Sequence, residues 1–162
     1  MDKLTYAGNL ENLEDIKDDA RHIFVKGDIC DKALVTDLIA KFDPDYVINF
    51  AAESHVDRSI RNPEIFVESN VLGTVNLLQC CKDAWYDADA KTWKEGKKVP
   101  DRFPPIEVYG AHGVAGSTTL VERRPRCART APYSASKASA DMFVKAFHDT
   151  YGMPINITRC SN

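Results

Sequence analysis

The feature that most constrains the fold is the run Tyr46-Val47-Ile48-Asn49-Phe50-Ala51-Ala52, which is almost continuously apolar. It is too short to cross a membrane and lacks the in–out alternation of a half-solvated strand, so it reads as a strand covered on both faces, as in parallel sheets. What precedes it supports that reading. Ile23-Phe24-Val25 is a short β-prone run ending at Lys26-Gly27-Asp28, and residues 31–42 then carry Leu34, Val35, Leu38, Ile39 and Phe42 at helical spacing. Asp43-Pro44-Asp45 stops that helix, because the residue before a proline is pushed out of the helical region. The unit is therefore strand, helix, strand, with the two strands parallel.

The same alternation continues. A second helix is predicted from Pro63 to about Trp85, with Ile65, Phe66, Val67, Leu72, Val75, Leu78 and Cys81 mainly on one side and the proline suited to its first turn. A polar insertion over 86–101 precedes Phe103 to Tyr109, which is strand-like only in part because Pro104 and Pro105 cannot donate ladder hydrogen bonds. A helix over 134–151 and a strand over 155–159 close the series. Alternating β and α elements with parallel strands predict an α/β, doubly wound parallel sheet.

Composition narrows the function classes. Among 162 residues, 28% are charged and the net charge is −3, with both signs interspersed, so nothing points to nucleic acid. The five cysteines lie in no CxxC or Cys/His pattern, which argues against a zinc site or a disulfide framework and for reduced thiols in a cytoplasm. No metal site is expected. The segment beginning at Met1 is no apolar signal segment, and no run of about 18 apolar residues occurs, so no membrane partner is expected.

Open parallel sheets bind ligands at the carboxyl ends of their strands, and those positions here are polar. Asp2 stands where an acidic residue at a strand end would accept hydrogen bonds from an adenosine ribose and repel a 2′-phosphate, favouring NAD over NADP; taken alone, it reads as a solvated charge. Asp28, followed by Ile29, could bind an adenine ring or could cap a helix, a task open equally to Asp31. Ala51 and Ala52 are small where a dinucleotide backbone must pass closely. Ser54 and His55 place short polar groups at the crevice, with His55 either a substrate contact or a structural loop histidine. Tyr133 and Lys137, four apart on the last predicted helix, project from one face. A tyrosine near pKa 10 is a poor base, but an adjacent ammonium stabilises its phenolate and would allow it to accept a sugar hydroxyl proton. The alternative is a surface pair.

Five blocks carry a family resemblance: 2–9 (Asp2-Lys3-Leu4-Thr5-Tyr6-Ala7-Gly8-Asn9), 27–31, Ala51-Ala52-Glu53-Ser54-His55-Val56-Asp57-Arg58-Ser59, Pro132-Tyr133-Ser134-Ala135-Ser136-Lys137-Ala138-Ser139, and Arg159-Cys160-Ser161-Asn162. In that order the chain resembles the dTDP-glucose 4,6-dehydratases of the extended short-chain dehydrogenase/reductase superfamily, over most of 2–109 and 131–162. The resemblance implies a Rossmann-like NAD-binding domain. It implies cofactor contacts from Asp2, Lys3, Leu4, Thr5, Asp28, Ile29, Phe50, Ala51, Ala52, Glu53, Ser54, Ser69, Tyr133 and Lys137, and a dTDP-glucose substrate approached by Ser54, His55 and Asn162. In the family's reaction the tyrosine, matched by Tyr133, takes the proton of the glucose 4-hydroxyl as hydride passes from C4 to NAD. The lysine, matched by Lys137, holds the nicotinamide ribose. A glutamate, matched by Glu107, removes the C5 proton; an aspartic acid protonates the departing 6-hydroxyl, and the hydride returns to C6. The helices from Pro63 and Ser134 are those through which relatives dimerise, so a homodimer is implied by analogy.

The pattern also breaks. Phe103-Pro104-Pro105-Ile106 runs straight into Glu107-Val108-Tyr109-Gly110, where the family carries Ser-Thr-Asp, so the threonine and the proton donor are missing. No Gly-rich turn or substrate domain accompanies the blocks, so residues 1–162 read as a partial NAD-binding domain without the first βα unit. Residues 111–130, rich in arginine, form an atypical insert that reads as a local reading-frame disturbance. The expectation is a 4,6-dehydratase module with impaired turnover; a UDP-sugar 4-epimerase and a non-catalytic Rossmann-like remnant are the alternatives.

Overall fold

A computed structural model describes residues 1–103 and 131–159 of the chain. The first helix, α1 (Lys32–Phe42), begins where Asp31 accepts the Leu34 N–H at 3.0 Å and ends where Asp43 turns left-handed, φ 39°, donating its N–H to Ile39. Asp31 is thus the cap, and Asp28 is left for other contacts. The short α2 (Val56–Arg61) and α3 (Glu64–Phe66) lead into a π-helical segment, Val67–Leu72, and then α4 (Gly73–Trp85). Pro63 supplies the first turn as predicted, its carbonyl accepting from Phe66 and Val67. The long α5 (Pro132–Tyr151) starts with proline and stops at left-handed Gly152, φ 64°, whose N–H bonds the His148 carbonyl at 2.8 Å.

The strands are β1 (Tyr86–Asp87) and β2 (Thr92–Trp93), an antiparallel pair, and β3 (Val99–Phe103) and β4 (Ile155–Arg159), paired parallel from Val99 opposite Ile155 to Phe103 opposite Arg159. Two isolated parallel bridges lie outside these strands, Tyr46 with Lys98 beside β3 and, apart from it, Asp2 with Lys26. Among the described residues, the runs at 23–25 and 46–52, predicted as full strands, therefore form no extended ladder. The segment 86–101 is also more ordered than its polarity suggested. It folds as the β1–β2 hairpin, where the Trp93 indole donates to the Tyr151 carbonyl at 2.7 Å, and its end is already β3. Residues 104–109 lie outside the described residues.

The helices α1, α4 and α5 pack side by side, and their buried side chains form one core: Val35, Ile39, Leu77, Leu78, Cys81, Trp85, Ala140 and Val144, joined by Val99 and Met153, with Val47, Ile155 and Ile157 packed against them. Each fully buried aliphatic side chain contributes about 1.5–3 kcal/mol relative to exposure. The prediction that 46–52 is covered on both faces fails. Val47 and Asn49 turn inward, whereas Tyr46, Ile48 and Phe50 are 58%, 54% and 65% exposed, because among the described residues no element lies over that face.

The apolar face predicted for 63–85 is corrected too. Phe66, Leu78 and Cys81 are buried, but Val67 and Leu72 are half exposed. The wider π turn breaks the 3.6-residue period between Phe66 and Gly73, so side chains on either side of it no longer share one stripe. Asn70 is the residue it turns inward.

Candidate functional site

Helix α5 fixes the first half of the site. Pro132 opens the helix, and Tyr133, Ser136, Lys137, Ala140 and Val144, at helical spacing, all point to the interior. Tyr133 and Lys137 are 3% and 1% exposed, so they are not the surface pair that the spacing alone would allow. The Lys137 Nζ lies 6.0 Å from the Tyr133 ring centroid, and the Phe66 ring meets that of Tyr133 edge-on, with centroids 6.0 Å apart. An ammonium placed this deep is tolerated only among polar partners, which makes the pair an energetically demanding feature rather than packing filler.

Asn70, which no sequence motif singles out, ties this helix to the strand crest. Its Oδ1 accepts the Glu53 N–H at 2.8 Å, and its Nδ2 donates to the Glu53 carbonyl at 3.1 Å and to Ser136 Oγ at 2.9 Å. Ser136 in turn donates to the Tyr133 carbonyl at 2.7 Å. Thr74 donates to the Asn70 carbonyl at 2.8 Å and accepts from Asn49, whose Oδ1 takes the Ala51 N–H at 3.0 Å. One polar chain thus runs from Asn49 through Thr74, Asn70 and Ser136 to the first turn of α5. Preceded by Glu68 and Ser69, Asn70 carries no local signal; its burial, which obliges the amide to find partners, is what marks it.

The second half is a cavity of about 740 Å³ whose lining includes Asp2, Lys3, Thr5, Asp28, Ile29, Phe50, Ala51, Ala52, Glu53 and Ser69. Ten of the expected cofactor residues therefore meet at one place, while Leu4, Ser54, Tyr133 and Lys137 do not line it. Asp2 folds back to accept the Leu4 N–H at 2.7 Å. Lys3 Nζ pairs with the Asp28 carboxylate at 2.5 Å, a contact that raises the lysine's pKa. Burial alone would push the Asp28 carboxyl up, but the Cys30 N–H at 2.9 Å and Lys3 outweigh it and hold the group below the ordinary carboxylate range. Ile29 is pinned by Asn76, which donates to its carbonyl at 2.6 Å, and by Gly73, where any Cβ would run into the Ile29 side chain.

Glu53 is buried with Arg58 at 3.3 Å, and the Arg58 guanidinium sits 3.7 Å from the centre of the Tyr6 ring. His55 is exposed, at φ 78°, with its ring 6.1 Å from that of Tyr6; Ser54 beside it is exposed as well. Glu107, Asn162 and the insert 111–130 lie outside the described residues. Among the described residues no group of three His, Cys, Asp or Glu side chains could hold a metal ion, and no helix is long and apolar enough to cross a membrane.

Parallel strands layered with helices, a crest cavity edged by two carboxylates and an interior Tyr/Lys pair together define a Rossmann-type fold of the dehydratase and epimerase kind. The chain belongs to the GDP-mannose 4,6 dehydratase family, whose profile matches residues 1–162. It is similar to the dTDP-glucose 4,6-dehydratase of Xanthomonas campestris pv. campestris strain B100, 50% identical over the whole chain and 45% of that protein, and to dTDP-glucose 4,6-dehydratase 1 of Escherichia coli K12, 43% identical over the whole chain and 46% of that protein. Among solved structures it resembles DesIV, a dTDP-glucose 4,6-dehydratase from Streptomyces venezuelae with NAD bound. That match has a TM-score of 0.81 and 41% identity, over 98% of this chain and 44% of DesIV. A UDP-glucose 4-epimerase from Brucella ovis, in complex with NAD, matches with a TM-score of 0.69 and 26% identity, over 86% of this chain and 38% of the epimerase. The chain spans about 45% of the length of the dehydratases it matches.

Proposed function

We propose that these residues form the NAD-binding and proton-abstracting part of a dTDP-glucose 4,6-dehydratase. The observation that carries this reading is the burial of Tyr133 and Lys137 side by side on α5, joined through Ser136 and Asn70 to a cavity lined by the residues expected to hold the nucleotide. The lining suits NAD chemically: Asp2 and Asp28 offer acceptors to ribose and adenine, Ile29 an apolar wall, and Ala51 and Ala52 room for a close-passing backbone. When bound, NAD takes up a hydride from the sugar and gives it back later in the cycle.

The chain's own residues then have distinct tasks. Tyr133 removes the proton from the sugar 4-hydroxyl oxygen. Lys137 stabilises electrostatically the phenolate form in which Tyr133 can accept that proton, and holds ribose hydroxyls. Glu107 takes the C5 proton. The position before Glu107, where a donor acid would assist loss of hydroxide from C6, is Ile106, and general acid catalysis typically supplies roughly 10²–10⁴ in rate. Oxidation therefore outpaces dehydration. A 4-epimerase would share the Tyr/Lys pair, but Glu107 and the run 53–59 favour the dehydratase, as does similarity of 50% to dehydratases against 26% to an epimerase. The half-exposed Val67, Leu72, Met142 and Phe143 on the helices from Pro63 and in α5 supply an apolar face for a homodimer.

Calorimetric titration with NAD, followed by dTDP-glucose and detection of the 4-keto sugar, tests the reading. Saturable NAD binding with slow ketone formation and little water loss is the expected result. Absence of NAD binding would leave the non-catalytic remnant as the correct description.

A further inference from the structure

Arg58 joins two segments that the fold brings together at the strand crest. One is residues 4–8, which supply Thr5, Ala7 and Gly8 to the cavity lining while Tyr6, between them, turns outward. The other follows the 46–52 run, where Glu53 lines the same cavity and α2 carries Arg58. The Arg58 guanidinium lies against both, 3.3 Å from the Glu53 carboxylate and 3.7 Å from the centre of the Tyr6 ring. Helix α2 packs on α5, so this contact is anchored to the helix that bears Tyr133 and Lys137.

The arginine has two separable tasks. Asn70 serves the backbone groups of buried Glu53, and Arg58 supplies the counter-charge that its carboxylate needs at that depth. Glu53 Oε2 and Arg58 Nη1 are closed to solvent and meet without a hydrogen bond, so charge rather than donor geometry holds the pair. A lysine could do as much. The ring contact is different, because a flat guanidinium stacks on an aromatic face in a way that a compact ammonium does not.

The segment around Tyr6 also needs an external hold. Leu4 has a positive φ of 53°, Gly8 closes a turn by donating to the Thr5 carbonyl at 2.9 Å, and a Cβ on Gly8 would come within 2.7 Å of the Leu4 Cα. His55, whose ring lies 6.1 Å from that of Tyr6, has a positive φ as well, 78°. Strained backbone of this kind persists where its surroundings over-determine it. We propose that Arg58 is a positioning residue: stacked on Tyr6, it fixes the wall formed by Thr5, Ala7 and Gly8 and so sets the fit of the cavity to the adenosine half of NAD. The consequence for NAD rests on the dehydratase reading; the hold on the wall does not.

Three variants separate the two tasks. Tyr6→Leu leaves the ion pair in place, Arg58→Lys keeps its charge without the flat face, and Arg58→Met removes both. In the NAD-free chain, amide exchange at Leu4 and Gly8, bonded to Asp2 and Thr5, should quicken roughly threefold or more in Tyr6→Leu and Arg58→Lys. The urea midpoint should stay close to the parent's in both and fall only in Arg58→Met. Calorimetric titration should give NAD dissociation constants roughly three- to tenfold higher for the same two variants, the size of one cation–π contact. Unchanged exchange at Leu4 and Gly8 in Tyr6→Leu overturns the proposal, as does parent-like NAD affinity in Arg58→Lys, which would leave Arg58 as a neutralising charge for Glu53. If the parent chain itself binds no NAD, the dehydratase reading fails and the exchange result decides the hold on the wall.

Discussion

Asn70→Ala isolates the polar chain between the strand crest and α5. The side chain is 1% exposed and serves both backbone groups of Glu53 as well as Ser136 Oγ. Truncation leaves the Glu53 N–H and carbonyl without partners in a site closed to solvent, at about 1–3 kcal/mol for each unsatisfied group. Ser136 keeps its bond to the Tyr133 carbonyl and loses little. The expected loss is about 3–5 kcal/mol, a large part of the roughly 5–15 kcal/mol that holds a domain folded. Urea unfolding reads it as a lower midpoint at unchanged slope. Asn70→Asp refines the test. The carboxylate still accepts from the Glu53 N–H but faces the Glu53 carbonyl and cannot donate to Ser136. Burial raises its folded pKa above the unfolded value near 3.9, so this variant is best protected below that value and loses stability as pH rises through the raised one. A loss under about 1 kcal/mol for Asn70→Ala, or no pH trend for Asn70→Asp, would refute the reasoning.

Three further outcomes follow from the same structure. Leu78→Ala, at an α4 side chain 2% exposed within the core, should destabilise by about 2–5 kcal/mol in the same unfolding assay. Burial pushes the Cys81 thiol up to about 12 and the Cys30 thiol up to about 11, the latter with help from Asp28, so alkylation near neutral pH should be slow in the folded chain and fast in urea. Because both folded pKa values lie above the unfolded value, the associated stability is intact below about pH 8.5 and declines as pH rises from there towards those values, as base titration of unfolding should record. Asp28→Asn removes the Lys3 pair; the variant should lose less stability in acid than the parent chain, which loses the Asp28 contribution as pH falls through that group's lowered pKa, and a parallel fall in both would sink the assignment.

Much of the helical frame is legible in the residues themselves. Asp31, Asp43 with Pro44, Pro63, Pro132 and Gly152 act within one turn of the backbone they begin or end, so their meaning is local and survives without a tertiary context. The Tyr133/Lys137 spacing likewise determined that both side chains share one face of a helix. The five blocks determined the family.

What lay beyond the sequence was which faces are covered and which groups are joined. Tyr46, Ile48 and Phe50 look like core residues, yet they stand exposed because covering a strand depends on elements distant in the chain. Asn70 carries no local signature of its role, which arises because the π segment turns it toward Glu53 and Ser136, partners 17 and 66 residues away. Burial distinguished the Tyr/Lys pair from a surface ion-and-ring contact, and convergence on one cavity brought Asp2, Asp28, Ala51 and Ser69 together. Propensity and capping are decided over a few residues, whereas desolvation and the need to satisfy a buried polar group are decided by whatever the rest of the chain packs against them.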